Sequence, residues 1–415
     1  MRLAIHAGSV LKTFVVHYSE IALKGKNRPL FTKALRRNIR RALRAVGEPS
    51  IDHIDGRFIV SIDAEENQVE DRLSRVFGVS WFAPVRVVEG GFAPIEAAVL
   101  SDSASLGSRA TFRVDARRAD KSFPMNSLTL ARELGSSVVQ MTGASVDLKE
   151  PDVTLHVDVL RGRTLVYSRR LGGPGGLPVG VGGRVVHLFS GGIDSPVAAW
   201  LLMKRGCNPV HLHFYLAPGY EYVLQSKVLK IIRTLSAYCG RTTIVLVPFA
   251  EYQLASSEVP QDCEPSLFRR FMRATAEELA PRFRAVAIST GDSLAQAASQ
   301  TIWNIGTFDH GSTLPILRPL LTYDKQEITE MAQRIGTYEA SIEDYKDCCA
   351  IITRHPKTRA RREVIDEYSQ RLDFPALVKR CLAASTLATY DPARSETKTS
   401  PLVLALHELP PGEEA

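Results

Sequence analysis

The feature that most constrains this chain is a six-residue turn, Ser190-Gly191-Gly192-Ile193-Asp194-Ser195. It comes directly after the apolar run VVHLF (185–189) and opens a helical pattern from about Pro196 to Arg205. A glycine-rich turn between strand and helix lets backbone N–H groups close on a phosphate, and the helix N-terminus adds positive dipole. No Gly-Lys-Ser/Thr comes after it, so the turn is not of the Walker type. Ser190 and Ser195 can donate hydroxyls to phosphate oxygens, and Asp194 can hold Mg²⁺ against them. The bland alternative is a glycine turn that only packs a helix against a strand.

Beyond the turn, strands and helices alternate. The strands PVHLHFYL (209–216), TTIVLVPF (242–249) and RAVAIST (284–290) are separated by helical stretches near 223–239 and 267–280. Near-continuous apolar strands between helices imply a parallel sheet covered on both faces, with ligands bound outside the carboxyl ends of its strands. The region before the turn reads differently. FVVHYSEIAL (14–23) and RFIVSID (57–63) alternate as strands, and residues 110–170 form a further strand–helix–strand–strand unit. Between the two regions GGPGGLPVGVGGR (172–184) holds seven glycines and two prolines, and is expected to be a linker that buries almost nothing. The stretch from Ser385 to Ala415, rich in Pro, Ser, Thr and Glu, is expected to have little core and to be partly disordered.

With 415 residues the chain exceeds one ordinary core. No apolar run approaches the roughly 18–20 residues of a membrane span. The N-terminal MRLAIHAGSVLKTF has no long apolar segment, so no signal peptide is expected. Six cysteines are too sparse for a disulfide framework, which points to a cytosolic protein. Charge is segregated: residues 1–180 carry 26 Lys+Arg against 19 Asp+Glu, whereas residues 181–415 carry 26 of each. A basic module suggests a polyanionic partner. Its densest part is the helical pattern from Pro29 to Gly47. There Phe31, Leu35, Ile39, Leu43 and Val46 share one face, and Lys33, Arg36, Arg37, Arg40, Arg41 and Arg44 the other. Six cations with no acid among them repel unless an anion lies against them, so a phosphate-facing helix is expected.

The turn SGGIDS resembles the PP-loop of the ATP pyrophosphatase enzymes, which cleave ATP between the α- and β-phosphates. Further stretches resemble the tRNA 4-thiouridine synthetase family (ThiI), in order along the chain. They are YSEIALKGKNRPLF (18–31), FRVDARRADKSFP (112–124), PDVTLHVDV (151–159), GGLPVG (175–180), TGDSLAQAASQT (290–301), ILRPLLTYDKQEI (316–328) and DCCAIITRHPKT (347–358).

The resemblance implies an α/β multidomain protein. A ferredoxin-like domain would span 12–75, a THUMP domain 76–171, the linker 172–184, a PP-loop doubly wound parallel-sheet domain 185–384, and the tail 385–415. The first two would grip tRNA, with Lys33, Arg36, Arg37, Arg40, Arg44, Arg117, Arg118 and Lys121 as candidate contacts. The nucleotide pocket carries over to Leu188, Phe189, Ser190, Gly191, Gly192, Asp194, Ser195, His213, Phe214, Arg269, Gly291 and Gln300. Lys325 would lie by the reacting centre, and Asp194 would hold Mg²⁺ through ATP. The implied reaction is ATP-dependent replacement of the uridine-8 C4 oxygen by sulfur: adenylation makes that oxygen the leaving oxygen of AMP, and a persulfide sulfur attacks C4.

Counting back from TRHP, Cys349 matches the family's essential cysteine and Cys348 is the extra one, expected to pack elsewhere. Taken alone, His213 reads as a satisfied core histidine. The chain is expected to lack the rhodanese-like domain of many relatives, so sulfur would reach Cys349 from a cysteine desulfurase or as sulfide, and a role in thiamine synthesis is doubtful. An iron–sulfur cluster on Cys263, Cys348 and Cys349 is an alternative that is not favoured. The family forms homodimers, which implies one here. Rival readings are another PP-loop tRNA modifier, such as a 2-thiouridylase or lysidine synthetase, and a catalytically silent tRNA/ATP-binding scaffold.

Overall fold

A computed structural model describes residues 11–346, 348 and 357–405. The N-terminal ten residues read for a signal peptide, Cys349 with the TRHP that sets its register, and the last ten residues of the tail lie outside the described residues. The chain divides into two compact units, Met1–Gly176 and Leu177–Ala415.

The first unit holds two five-stranded sheets. One runs in the order β10-β4-β1-β3-β2, from β1 (Lys12–His17), β2 (Ser50–Ile54), β3 (Arg57–Ile62), β4 (Trp81–Pro84) and β10 (Leu171–Gly172), all paired antiparallel. The helices α1 (Arg28–Leu43) and α2 (Glu66–Leu73) contribute Leu35, Ile39, Leu43, Val69 and Leu73 to one core with Phe14, Val16 and Val60. Phe31 and Val46 pack on its margin, so the apolar face read from the helical spacing is the buried face. The other sheet runs β5-β9-β8-β6-β7, from β5 (Arg86–Val88), β6 (Thr111–Arg118), β7 (Ser145–Val146), β8 (Val153–Leu160) and β9 (Arg163–Tyr167). Its cover is α3 (Phe92–Ser103) and α4 (Ser127–Thr142), which seal Ile95, Val99, Leu130 and Leu134 against Leu155 and Val157.

The second unit is built on a seven-stranded sheet ordered β15-β14-β11-β12-β13-β16-β17. The strands are β11 (Arg184–Leu188), β12 (Asn208–Tyr215), β13 (Thr242–Pro248), β14 (Ala285–Ser289), β15 (Ile316–Leu317), β16 (Thr386–Asp391) and β17 (Glu396–Pro401). The first five are parallel, and β16 and β17 add antiparallel to the β13 edge. After β11 the chain builds outward through β12 and β13, then crosses to β14 on the other side of β11. That reversal creates a crevice at the carboxyl ends of β11 and β14, where open α/β sheets bind ligands. Among the described residues its α-helices are α5 (Asp194–Lys204), α6 (Tyr220–Leu224), α7 (Lys227–Cys239), α8 (Ala250–Ala255), α9 (Glu264–Leu279), α10 (Ile302–Asp309), α11 (Lys325–Ile335) and α12 (Tyr338–Ser341), with three more at Arg362–Arg371, Phe374–Ala383 and Leu402–Ala405.

Two expectations are corrected. The glycine-rich stretch 172–184 is fastened rather than loose. Leu177 and Val179 are buried, the Leu177 N–H donates to the Lys204 carbonyl at 2.9 Å, and the Gly180 and Gly182 N–H groups both donate to the Gly206 carbonyl. Counting glycines as entropy overlooks that they also let backbones approach closely. The tail is ordered over the described part: β16 and β17 complete the sheet, with Leu387, Ala388 and Tyr390 buried. Its Thr and Ser content masks a largely buried strand, TLATYD, in which β-branched threonines fit the pleat.

Candidate active site

The crevice contains a cavity of about 390 Å³ lined by the end of β11 and its turn (Leu188, Phe189, Ser190, Asp194, Ser195), β12 (Leu212, Phe214), α9 (Pro265, Phe268, Arg269, Met272), the segment after β14 (Thr290, Gly291, Asp292), residues Ala297–Gln300, and Cys348. The lining combines apolar side chains with hydroxyl and charged groups.

Local bonding sets the turn. Gly191 sits at φ +79°, a conformation that a side chain disfavours. The Ser190 N–H donates to Ser195 Oγ at 3.2 Å, and the Gly192 N–H donates to Ser190 Oγ at 3.3 Å. The loop is therefore held by the same hydroxyls that would meet a phosphate. Beneath it, buried His187 donates from Nε2 to the Ser195 carbonyl at 2.9 Å and accepts at Nδ1 from Ser289 Oγ at 3.2 Å, tying β11 to α5 and β14. Burial lowers the His187 pKa to about 4, so the ring is neutral. A Cβ on Gly291 would stand 3.0 Å from the Ser195 nitrogen and 3.2 Å from the Asp194 carbonyl carbon. Glycine there is what lets the segment after β14 lie against the start of α5.

Asp194, in the first turn of α5, accepts from Lys325 Nζ at 2.7 Å and from Gln296 Nε2 at 2.9 Å. Lys325 is the first residue of α11, whose start is fixed by a capping box between Asp324 and Glu327. Its side chain is half exposed, so its attraction to Asp194 is worth little and can be exchanged for a phosphate. Arg269 is held more firmly. It grips Asp292 through both terminal guanidinium nitrogens at 2.7–2.9 Å, while Arg318 donates to Asp292 from Nε at 3.2 Å. Burial alone would push the Asp292 carboxyl up, but Arg269 and Arg318 outweigh it and hold it below the ordinary carboxylate range. The ring of Phe308 lies under both guanidinium groups. Gln300 Oε1 is a buried acceptor with no donor among the described residues.

Most of the nucleotide residues carried over from sequence thus meet around one cavity: Leu188, Phe189, Ser190, Asp194, Ser195, Phe214, Arg269, Gly291 and Gln300. Gly191 and Gly192 sit within the turn. His213 does not line the cavity. It is buried, donating from Nδ1 to the Phe189 carbonyl at 2.8 Å and accepting at Nε2 from the Tyr345 hydroxyl at 2.9 Å, so its side chain shapes the strand end before the turn. Cys348, expected to pack elsewhere, is in the cavity wall; its thiol donates to the Phe214 carbonyl at 3.3 Å. Sequence reading misses Asp292, Gln296 and Arg318. All three stand in stretches that carry the family resemblance, but nothing in a single sequence shows that Arg269 and Asp292 meet.

The basic face of α1 is partly neutralised by its own surroundings. Arg36 donates to the Ile51 carbonyl, and Arg40 and Arg44 stand 3.9 and 3.6 Å from Glu48, an acid just past the helix. Arg117 pairs with Asp115, and Arg118 donates to the carbonyls of Phe123 and Met125, fixing the loop before α4. Lys33, Arg37 and Lys121 are exposed.

Family models match three stretches: a ThiI ferredoxin-like domain over residues 13–83, a THUMP domain over 96–169, and thiamine biosynthesis protein (ThiI) over 180–374. The chain is 39% identical over 391 residues to a probable tRNA sulfurtransferase of Moorella thermoacetica, covering 92% of this chain and 98% of that protein. Among solved structures it resembles a 4-thiouridine synthetase–RNA complex with bound ATP at TM-score 0.84 and 34% identity, covering 92% of this chain and 100% of that one. PH1313 from Pyrococcus horikoshii matches at TM-score 0.60 and 23% identity over 78% of this chain and 99% of that chain, a likeness of fold.

Proposed function

The chain belongs to the ThiI family of tRNA sulfurtransferases, and from that premise we propose that it thiolates tRNA, using ATP to convert the uridine at position 8 to 4-thiouridine. The observation that carries the reading is the strand–turn–helix at the switch point, where two serine hydroxyls, a helix N-terminus and the Asp194–Lys325 pair stand together.

In this reading the apolar lining residues Leu188, Phe189, Phe214 and Met272 take the adenine, and Gln300 Oε1 receives an adenine N–H. The turn N–H groups with Ser190 and Ser195 hold the β- and γ-phosphates as pyrophosphate. The uridine O4 attacks the α-phosphorus and pyrophosphate leaves. Lys325, released from Asp194, meets the charge that develops there. One carboxylate plus the substrate phosphates is a donor set that suits magnesium, so Asp194 would hold the ion, which neutralises phosphate charge when bound. Arg269, locked by Asp292, is a fixed donor beside the nucleotide. A persulfide on Cys349, its outer sulfur transferred from the persulfide of a cysteine desulfurase, then attacks C4 and expels AMP, and a second thiol attacks the Cys349 sulfur, forming a disulfide with it and releasing the thiouridine; where the donor is free sulfide, the sulfide itself attacks C4 and no persulfide forms. The basic unit, through Lys33, Arg37 and Lys121, holds the tRNA backbone.

The test is release of pyrophosphate from ATP in the presence of tRNA. Wild-type protein should release it and Asp194→Ala should not, because the carboxylate that would hold magnesium against the phosphates is gone. Equal pyrophosphate release by both would make the turn a structural feature alone.

A further inference from the structure

We propose that Ile302, Trp303 and Arg359 form a docking platform for an unpaired nucleotide of the tRNA, next to the cavity; this rests on the reading of the chain as a tRNA thiolase. Ile302 and Trp303 are the first two residues of α10, and 67% and 55% of their surfaces face solvent. They come two and three positions after Gln300, which lines the cavity. An exposed isoleucine next to an exposed tryptophan puts apolar surface at the edge of the cavity, which is where a partner would find it.

The platform is rigid. Thr301 Oγ1 donates to the Thr358 carbonyl at 2.6 Å. Buried Asn304 donates from Nδ2 to the carbonyls of Lys357 and Ala298, and its Oδ1 accepts from the Ala360 N–H at 2.9 Å. These bonds pin the start of α10 to residues 357–360 and lay the Arg359 guanidinium 4.0 Å from the centre of the Trp303 ring.

Charge selects the partner. Lys357, Arg359, Arg361 and Arg362 are four cations in six residues with no acid among them, inside a half of the chain whose net charge is zero. Lys357 pairs with Asp262 and Arg362 leans on Glu363 and Asp366, while no carboxylate among the described residues lies within ion-pair distance of Arg359 or Arg361. A half-exposed tryptophan with an arginine guanidinium over its ring, next to a run of cations, is a surface that can stack bases and track a phosphate backbone. A second copy docking face to face would bring the arginines together. The chemistry asks for such a surface too. Sulfur must reach C4 of a base that is out of its stack, and its neighbours then need a substitute for the stacking they lose.

The experiment compares full-length wild type with Trp303→Ala, Trp303→Phe and Arg359→Ala, measuring tRNA affinity at one salt concentration, ATP affinity, melting temperature and sedimentation. Trp303→Ala and Arg359→Ala should each weaken tRNA binding about tenfold. Trp303→Phe should stay within about twofold, and ATP affinity and melting should not move. Wild type that binds tRNA while Trp303→Ala binds it equally well overturns the platform alone. Unchanged tRNA affinity with a loss of self-association would reassign the surface to a protein contact. Wild type that binds no tRNA overturns both the platform and the reading it rests on.

Discussion

Removing the Arg269 guanidinium should cost the second unit stability as well as nucleotide binding, and the size can be worked from its surroundings. Arg269 and Asp292 expose 14% and 3% of their side chains, so the pair is shielded from solvent and salt. Breaking a buried ion pair by deleting one partner typically costs about 3–5 kcal/mol, because the other charge is left uncompensated. Arg318 stays on Asp292 through one bond, which places Arg269→Ala at the low end, about 3 kcal/mol. At about 2–4 °C per kcal/mol for a domain of this size, the unit's melting transition should fall by about 6–12 °C in scanning calorimetry. Asp292→Ala should also lower the transition, since it removes the carboxylate that Arg269 and Arg318 share, while Arg318 keeps its bonds to Asp309. The pH dependence carries a second signature. Asp292 has a depressed pKa in the folded state, so its contribution is present above the unfolded carboxylate pKa and is lost as pH falls through the folded value. In Arg269→Ala the depression shrinks, so the part of the acid destabilisation that comes from Asp292 should be smaller than in wild type. A variant that melts within about 2 °C of wild type, with the same acid limb, would refute the claim that this pair holds the site.

Two other perturbations give distinct readouts. Gly291→Ala puts a methyl 3.0 Å from the Ser195 nitrogen, so the start of α5 must move by a few tenths of an ångström; AMP formation should drop about tenfold or more with the fold intact, and an unchanged rate would show that the turn tolerates the shift. Glu264 is buried at the start of α9, and burial raises its pKa to about 7, so the folded state binds the extra proton between about pH 4.5 and 7 and stability should decline as pH rises through that window. Glu264→Gln should flatten that decline and melt higher than wild type at pH 8; equal slopes would mean that Glu264 does not titrate in the fold.

How much of the fold and the site is legible in the sequence depends on the range of the interaction. The turn at 190–195 is readable because its meaning is local: a glycine-rich corner between an apolar strand and a helix has few uses. The buried face of α1 is readable for the same reason, since Leu35, Ile39 and Leu43 share a face whatever they pack on. The bonds that make the site work join distant positions: Lys325 to Asp194, Arg269 to Asp292, His213 to Tyr345. No periodicity reports them. The basic helix shows the opposite error, for Glu48 lies just outside its window yet stands against Arg40 and Arg44. Glycine-rich 172–184 and threonine-rich β16 and β17 mislead because composition records what a residue can do, whereas burial depends on what lies across from it.

Nucleoside mass spectrometry of tRNA incubated with purified protein, ATP, magnesium and a persulfide donor tests the thiolation most directly. Wild type should produce 4-thiouridine only when ATP is present, and Cys349→Ala should produce none while still releasing pyrophosphate, because adenylation needs no thiol. Sulfur found at C2, 4-thiouridine formed without ATP, or full thiolation by Cys349→Ala with the same donor would contradict it.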